Sequence, residues 1–401
     1  MDFQNKILQL KGKVQHYAWG GTSFIPSLLH IANIDNKPFA EYWMGTHPSG
    51  PSELFDGAAT ISLDQFIQQN PIQVLGEKVF KQFKALPYLF KVLDVNDMLS
   101  IQVHPSKAEA EKGFDAEEAA GIPLNAPNRN YKDSNHKPEI MVALSEFWLL
   151  HGFKSKEAIE KMLLDIQDFN TLIALFKTNG YRSLYKMLMQ MEQAQVDHLL
   201  VPLVKRELRR KRDGELTKNQ PGWWVAKLYE QQERLENIDR GIFSIYLFNI
   251  VQLQPGEAVF QGAGIPHAYL EGQNIELMAN SDNVLRGGLT PKHIDVPELM
   301  KHILFEPVVP NILKGDNFGN EKIYRCPVPD FGISKIDLHE GETYSFIAQS
   351  LEIFLITEGA IIVKGQEHRI IKKGEAFAAF HACNYAFTAS GKTVLFKAFV
   401  P

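Results

Sequence analysis

Apolar residues in the first hundred positions come in short runs broken by proline and glycine turns, the signature of strands rather than long helices. Phe3–Leu10, Ala40–Gly45 and Leu86–Leu93 are predicted strands, punctuated by Pro48-Ser49-Gly50-Pro51 and Asp56-Gly57. Leu63–Gln68 and Pro71–Phe83 read as helical interruptions. Leu99–Pro105 reads as a short strand closed by Pro105, which has no N–H for a ladder. Alternation puts Gln102 and His104 on one face and Ile101 and Val103 on the other. Ser106–Phe114 is a helix with Ser106 as its cap, and strands follow at Met141–Leu144 and Phe147–Gly152.

The pattern changes at Lys154. Up to about Arg240, apolar residues recur at helical spacing, as in Ile159, Met162, Leu163 and Ile166. Helices are predicted at Val201–Arg212 and Val225–Leu235, with Pro221-Gly222 as a break. From Ile242 strands return, and two segments resemble each other. Gly256-Glu257-Ala258 leads to His267, and Gly374-Glu375-Ala376 leads to Tyr385 at the same distance. Two copies of a small barrel or jelly roll are expected, with a ligand retained only in the first. The fold class is therefore mainly β with an α-helical insertion. The expected division is a discontinuous barrel over 1–153 and 241–310, a helical domain over 154–240, and a second barrel over 311–401.

Composition narrows the chemistry. The chain has 401 residues, 45% hydrophobic and 22% charged, as in ordinary globular proteins. Its formal charge of −5 gives no electrostatic footprint for nucleic acid. One basic run, Lys205–Arg212, reads as a solvated helix face. With only two cysteines, Cys326 and Cys383, a disulfide framework is excluded, and any metal must be held by His, carboxylate or amide. No apolar run reaches membrane-spanning length, and the N-terminus lacks a signal pattern, so a cytoplasmic monomer without a membrane partner is expected.

Three stretches supply candidate ligands: Gln102 and His104, then Glu139 in Asn135-His136-Lys137-Pro138-Glu139, then His267 behind Gly264-Ile265-Pro266. Two imidazoles, a carboxylate and an amide suit a borderline divalent ion such as zinc; on residue types alone, iron is an equal contender. A fourth stretch, Asn274–Lys292, starts as a strand with Glu276 and Met278 opposite Ile275 and Leu277. It continues as a loop holding Asp282, Arg286 and Lys292, cations suited to the phosphate of an anionic sugar. Taken singly, each stretch also reads as an exposed strand or turn.

Together with His16-Tyr17-Ala18-Trp19-Gly20, Glu41-Tyr42-Trp43-Met44-Gly45-Thr46-His47 and Leu89–Leu93, these motifs resemble the type I mannose-6-phosphate isomerase (phosphomannose isomerase) family, in order from about residue 7 to 305. The resemblance implies two cupin-like barrels with a helical domain, and one zinc on Gln102, His104, Glu139 and His267. It implies a phosphorylated hexose substrate, interconverted between aldose and ketose through an enediol. Arg286, Lys137, Glu276 and Asp282 are then active-site residues, with Lys137 a candidate base and His136 an aid to ring opening or an orienting group. Ser100, Lys91 and Lys292 are expected at the phosphate, and Trp19 at the substrate. A non-haem iron oxygenase on His104, His267 and Glu139, or a phosphosugar-binding protein without catalysis, are the rival classes.

Overall fold

The computed structural model describes residues 6–364 and 369–401. It is a mixed α/β fold in which, among the described residues, nine-, ten- and four-stranded sheets carry the β structure. Among the described residues the strand pairings are antiparallel and no closed ring of strands is formed, and the fold expected to be mainly β carries substantial helix as well.

The ten-stranded sheet is organised by the 13-residue strand His267–Ala279. Its C-terminal half pairs with Tyr88–Val95 on one side and Glu139–Ala143 on the other. Its N-terminal half pairs with Phe147–Phe153 and with Gln102–Val103. A register shift between Tyr269 and Glu271 separates the two halves, so one strand feeds two diverging branches. Alternation decides what each branch buries. Phe90, Val92, Ile140, Val142, Ile275 and Leu277 enter a core shared with Leu8, Leu54, Ile353, Leu355 and Phe396 of the nine-stranded sheet. Lys91, Glu139, Glu276 and Met278 lie on the opposite face. The N-terminal strand Leu8–Lys11 pairs with Ala376–Ala379, tying the two ends of the chain into one sheet.

Local departures from the sequence reading have plain causes. Only Gln102–Val103 of Leu99–Pro105 joins a ladder. Its flanks bond outside the ladder: Leu99 N–H donates to Tyr269 O, Ile101 N–H to Gly288 O, and the Ile101 carbonyl accepts from Gly287 N–H. Pro71–Phe83 is two helices, Pro71–Leu75 and Glu77–Phe83, because Gly76 between them takes φ 82°, where a Cβ would also meet the His381 ring at 2.8 Å. Pro221 starts a helix, Pro221–Tyr229, rather than breaking one, since its fixed φ suits the first helical position. The helix after Pro105 runs further than expected, Lys107–Ala119, and Ser106 closes a capping box with Glu109. Of the expected strand Phe3–Leu10, residues 3–5 lie outside the described residues.

The helices between 156 and 229 close their own core on Phe169, Phe176, Leu188, Leu200 and Trp224, which continues into Ile101, Val103 and Leu285 beneath the site. The basic run is largely neutralised: Arg206 pairs with Asp168 at 2.5 Å, Arg210 with the buried Glu207 at 2.9 Å, and Lys211 with Glu230.

Candidate metal centre

Three of the predicted ligands converge. Glu139 Oε1 lies 3.4 Å from His104 Nε2, and its Oε2 lies 3.4 Å from His267 Nε2. All three residues are buried, and their ligand atoms lie within 4.8 Å of one another. Each ring is set by its other nitrogen. His104 Nδ1 is 2.8 Å from the carbonyl of Asn283, and His267 Nδ1 is 2.9 Å from the carbonyl of Ile265. A carbonyl only accepts, so both rings carry their proton on Nδ1 and turn an unprotonated Nε2 into the cavity. Burial pushes the His104 imidazole down, to about 4, which keeps that nitrogen free. His104 Nε2 is fully buried and makes no hydrogen bond, as a metal ligand without its ion does. The 3.4 Å separations match the edge of a tetrahedron with bonds of about 2 Å, as zinc requires. The residues fit the ion.

Gln102 stands beside this triad. It is the cross-strand neighbour of His267 and, on its other side, of Arg286. Directly opposed residues project to the same face, so imidazole, carboxamide and guanidinium lie in a row.

Next to the triad, Lys137 Nζ is 3.1 Å from Glu139 Oε1. Burial works to raise the Glu139 pKa, but Lys137 and His104 outweigh it and hold the carboxyl well below the ordinary range. Lys91 is buried between Glu276 at 3.2 Å and Glu41 at 3.4 Å, with its ammonium over the Trp43 ring. Burial opposes its charge, yet these two carboxylates keep Lys91 protonated. Glu276 accepts from the Tyr269 hydroxyl at 2.8 Å, and burial, partly offset by Lys91, raises its pKa. Asp282 is more open and pairs with His47 at 3.1 Å.

The remaining candidates lie further out. Arg286 and Lys292 are close enough to repel: burial, and for Lys292 also Arg286, lowers both pKa values. Trp19 stacks on Tyr17 at 5.9 Å, and Tyr17 feels Glu41, Lys91 and Asp282. Ser100 is half-buried two residues before Gln102. His136 turns its Nε2 to Asp330, 3.1 Å from either carboxylate oxygen.

Several residues of this centre were not singled out from the sequence. Glu41, Trp43 and His47 lay inside a recognised motif, with Glu41 and Trp43 at alternating positions of one strand. Asn283 carried no chemical signal, because it acts through its backbone carbonyl. Its side chain braces the loop before Glu139: Oδ1 accepts from the Lys132 amide at 2.7 Å, and Nδ2 donates to the carbonyls of Asp133 and Asn135.

Fold and site define a protein with a buried His–Glu–His centre for a divalent metal, bordered by a lysine–carboxylate cluster and a cationic loop. Residues 7–156 match the family model described as phosphomannose isomerase type I, catalytic domain. The chain is 38% identical to mannose-6-phosphate isomerase of Salmonella typhimurium over 395 residues, covering 96% of this chain and 97% of that protein. Identity to the Escherichia coli enzyme is 40% over 384 residues, with 94% and 95% covered, and to the human enzyme 37% over 391 residues, with 89% and 88% covered. A crystal structure of the Salmonella typhimurium enzyme bound to fructose 6-phosphate and zinc superposes with a TM-score of 0.87 at 36% identity, over 98% of this chain and 99% of that one. A zinc-bound mannose 6-phosphate isomerase structure matches with a TM-score of 0.86 at 36% identity over the same shares. The chain belongs to the type I phosphomannose isomerase family.

Proposed function

We infer that this protein is a zinc-dependent mannose-6-phosphate isomerase, interconverting mannose 6-phosphate and fructose 6-phosphate through an enediol. The observation that carries it is the buried triad of His104, Glu139 and His267, both rings locked with Nε2 inward, beside lysines and carboxylates able to move protons. His104, Glu139, His267 and Gln102 hold the zinc, which when bound supplies Lewis-acid polarisation of the sugar's carbonyl and hydroxyl oxygens.

The chain's own groups do the rest. Lys137 Nζ carries the proton between C1 and C2; its place at the edge of the metal centre and its burial support that role. Arg286 and Lys292 bind the phosphate and offset charge on the enediolate. We give Ser100 a supporting contact there. Lys91, balanced by two buried carboxylates, orients Glu276 and Glu41 beside the phosphate-binding residues. Asp282 and Trp19 border the entrance with His47 and Tyr17, and His136 is an orienting group through Asp330. At the level of architecture we propose two cupin-like barrels, one over 1–153 and 241–310 and one over 311–401, with a helical domain at 154–240. The strand–loop–strand order of Ala258–Gln261 to His267 and of Ala376–Ala379 to Asn384–Ala389 supports the repeat.

A coupled assay with mannose 6-phosphate, run with and without chelator, tests this reading. Turnover that the chelator abolishes and zinc restores is the expected result. Oxygen uptake with bound iron would favour the oxygenase class, and phosphosugar binding without turnover a binding protein.

A further inference from the structure

Two polar side chains of the cavity have no part in this reading, His151 and Gln261. Each is the cross-strand neighbour of a metal ligand: His151 stands opposite His267, and Gln261 opposite Glu139. Opposed residues of an antiparallel pair project together, with Cβ atoms about 5 Å apart. All four side chains therefore line one space. His151 Nδ1 lies 2.8 Å from Gln261 Oε1, and since an amide oxygen only accepts, Nδ1 donates.

That bond joins side chains carried by two different branches of the sheet. Ala258–Gln261 pairs with Glu139–Ala143, on the branch that carries the carboxylate. Phe147–Phe153 pairs with the other half of the long strand, on the branch that carries His267 and Gln102. The two branches diverge at the register shift after Tyr269, and the His151–Gln261 bond joins them across the metal cavity. The carboxamide makes this bond at the expense of its own donor, for Gln261 is completely buried and its Nε2 has no partner. An unpaired buried amide nitrogen is costly, so the orientation of Gln261 is dictated by His151 and not by its own satisfaction. His151 is likewise buried.

We propose that His151 and Gln261 are positioning residues whose mutual hydrogen bond sets the spacing between Glu139 and His267. The inference rests on the metal-centre reading above. The test uses the full-length protein carrying H151L, Q261L or H151N, the last of which puts an amide N–H where Nδ1–H stood. Zinc affinity by chelator competition is expected to fall about 10- to 100-fold in H151L and Q261L. H151N should stay within about threefold of wild type. The visible spectrum of the cobalt-substituted protein should shift in both leucine variants and be restored in H151N, a signature that lost packing alone does not produce. Unchanged affinity in H151L and Q261L overturns the proposal, as does an H151N as weak as H151L. If the leucine variants do not fold, H151N decides alone: a wild-type affinity and spectrum support the proposal, and a shifted spectrum overturns it. Wild-type protein that takes up no zinc would instead overturn the metal-centre reading.

Discussion

Lys137 Nζ and Glu139 Oε1 lie 3.1 Å apart, so the ammonium nearest the metal centre is held by one of the metal's own ligands. Two residues apart in an extended segment, their side chains fall on one face, and both are buried. A zinc ion held by Glu139 would share that carboxylate with Lys137 and so would weaken the ion pair.

This relationship sets the first prediction. Lys137→Met should lower kcat by about 10²- to 10⁴-fold, the range for losing a general acid–base group, while zinc stays bound. Exchange of the C2 proton with solvent deuterium, followed by NMR, is the decisive measurement. Exchange at the wild-type rate would show that Lys137 is not the base.

Metal removal should cost both activity and stability. Ion binding to the folded state alone adds about 2.7 kcal/mol when free zinc is 100 times its Kd. Thermal unfolding of chelator-treated protein should therefore fall by several degrees and recover with one equivalent of zinc. A Tm indifferent to zinc would contradict a centre built on buried His104, Glu139 and His267.

The Glu41–Lys91–Glu276 cluster gives a third test. Lys91→Met leaves two buried carboxylates with no cation between them, a loss of about 3–5 kcal/mol by analogy with other broken buried pairs. Urea unfolding measures it. The double variant Lys91→Met with Glu276→Gln should recover part of that loss; a double variant no more stable than the single one would rule out pairing as the cause.

Far from the metal, Glu352 predicts a pH dependence of stability. Its carboxylate is buried with Oε2 unpartnered, and burial, against the pull of Lys397, raises its pKa to about 7. The folded state therefore binds a proton more tightly than the unfolded chain. On this account stability is greatest below the ordinary carboxylate pKa, falls as pH rises toward 7, and is level above it. The full difference is about 3 kcal/mol at the usual free energy per pKa unit. Glu352→Gln should be more stable than wild type at pH 8, with the gap shrinking by pH 5. An equal gap at both values would remove Glu352 as the cause.

What the chain determined by itself is local. Alternation of Glu276 and Met278 against Ile275 and Leu277 foretold a strand with one apolar face, because period-two burial is written in adjacent residues. The types of His104, Glu139 and His267 named the chemistry, since few other side chains hold a divalent ion. Lys156–Asp165 was legible from helical spacing in the same way, and of the helix Gln193–Arg212 the part from Val201 onward. Only the tertiary structure decided which residues meet. Lys91, expected at the phosphate from the family resemblance, is buried between Glu41 and Glu276. Asn283 acts through a carbonyl that no residue type announces, and His136 turns to Asp330. The bond between His151 and Gln261 links two segments far apart in the chain. Such contacts follow from strand pairing between distant segments, and register is set by the burial of whole faces, which no short stretch of sequence records.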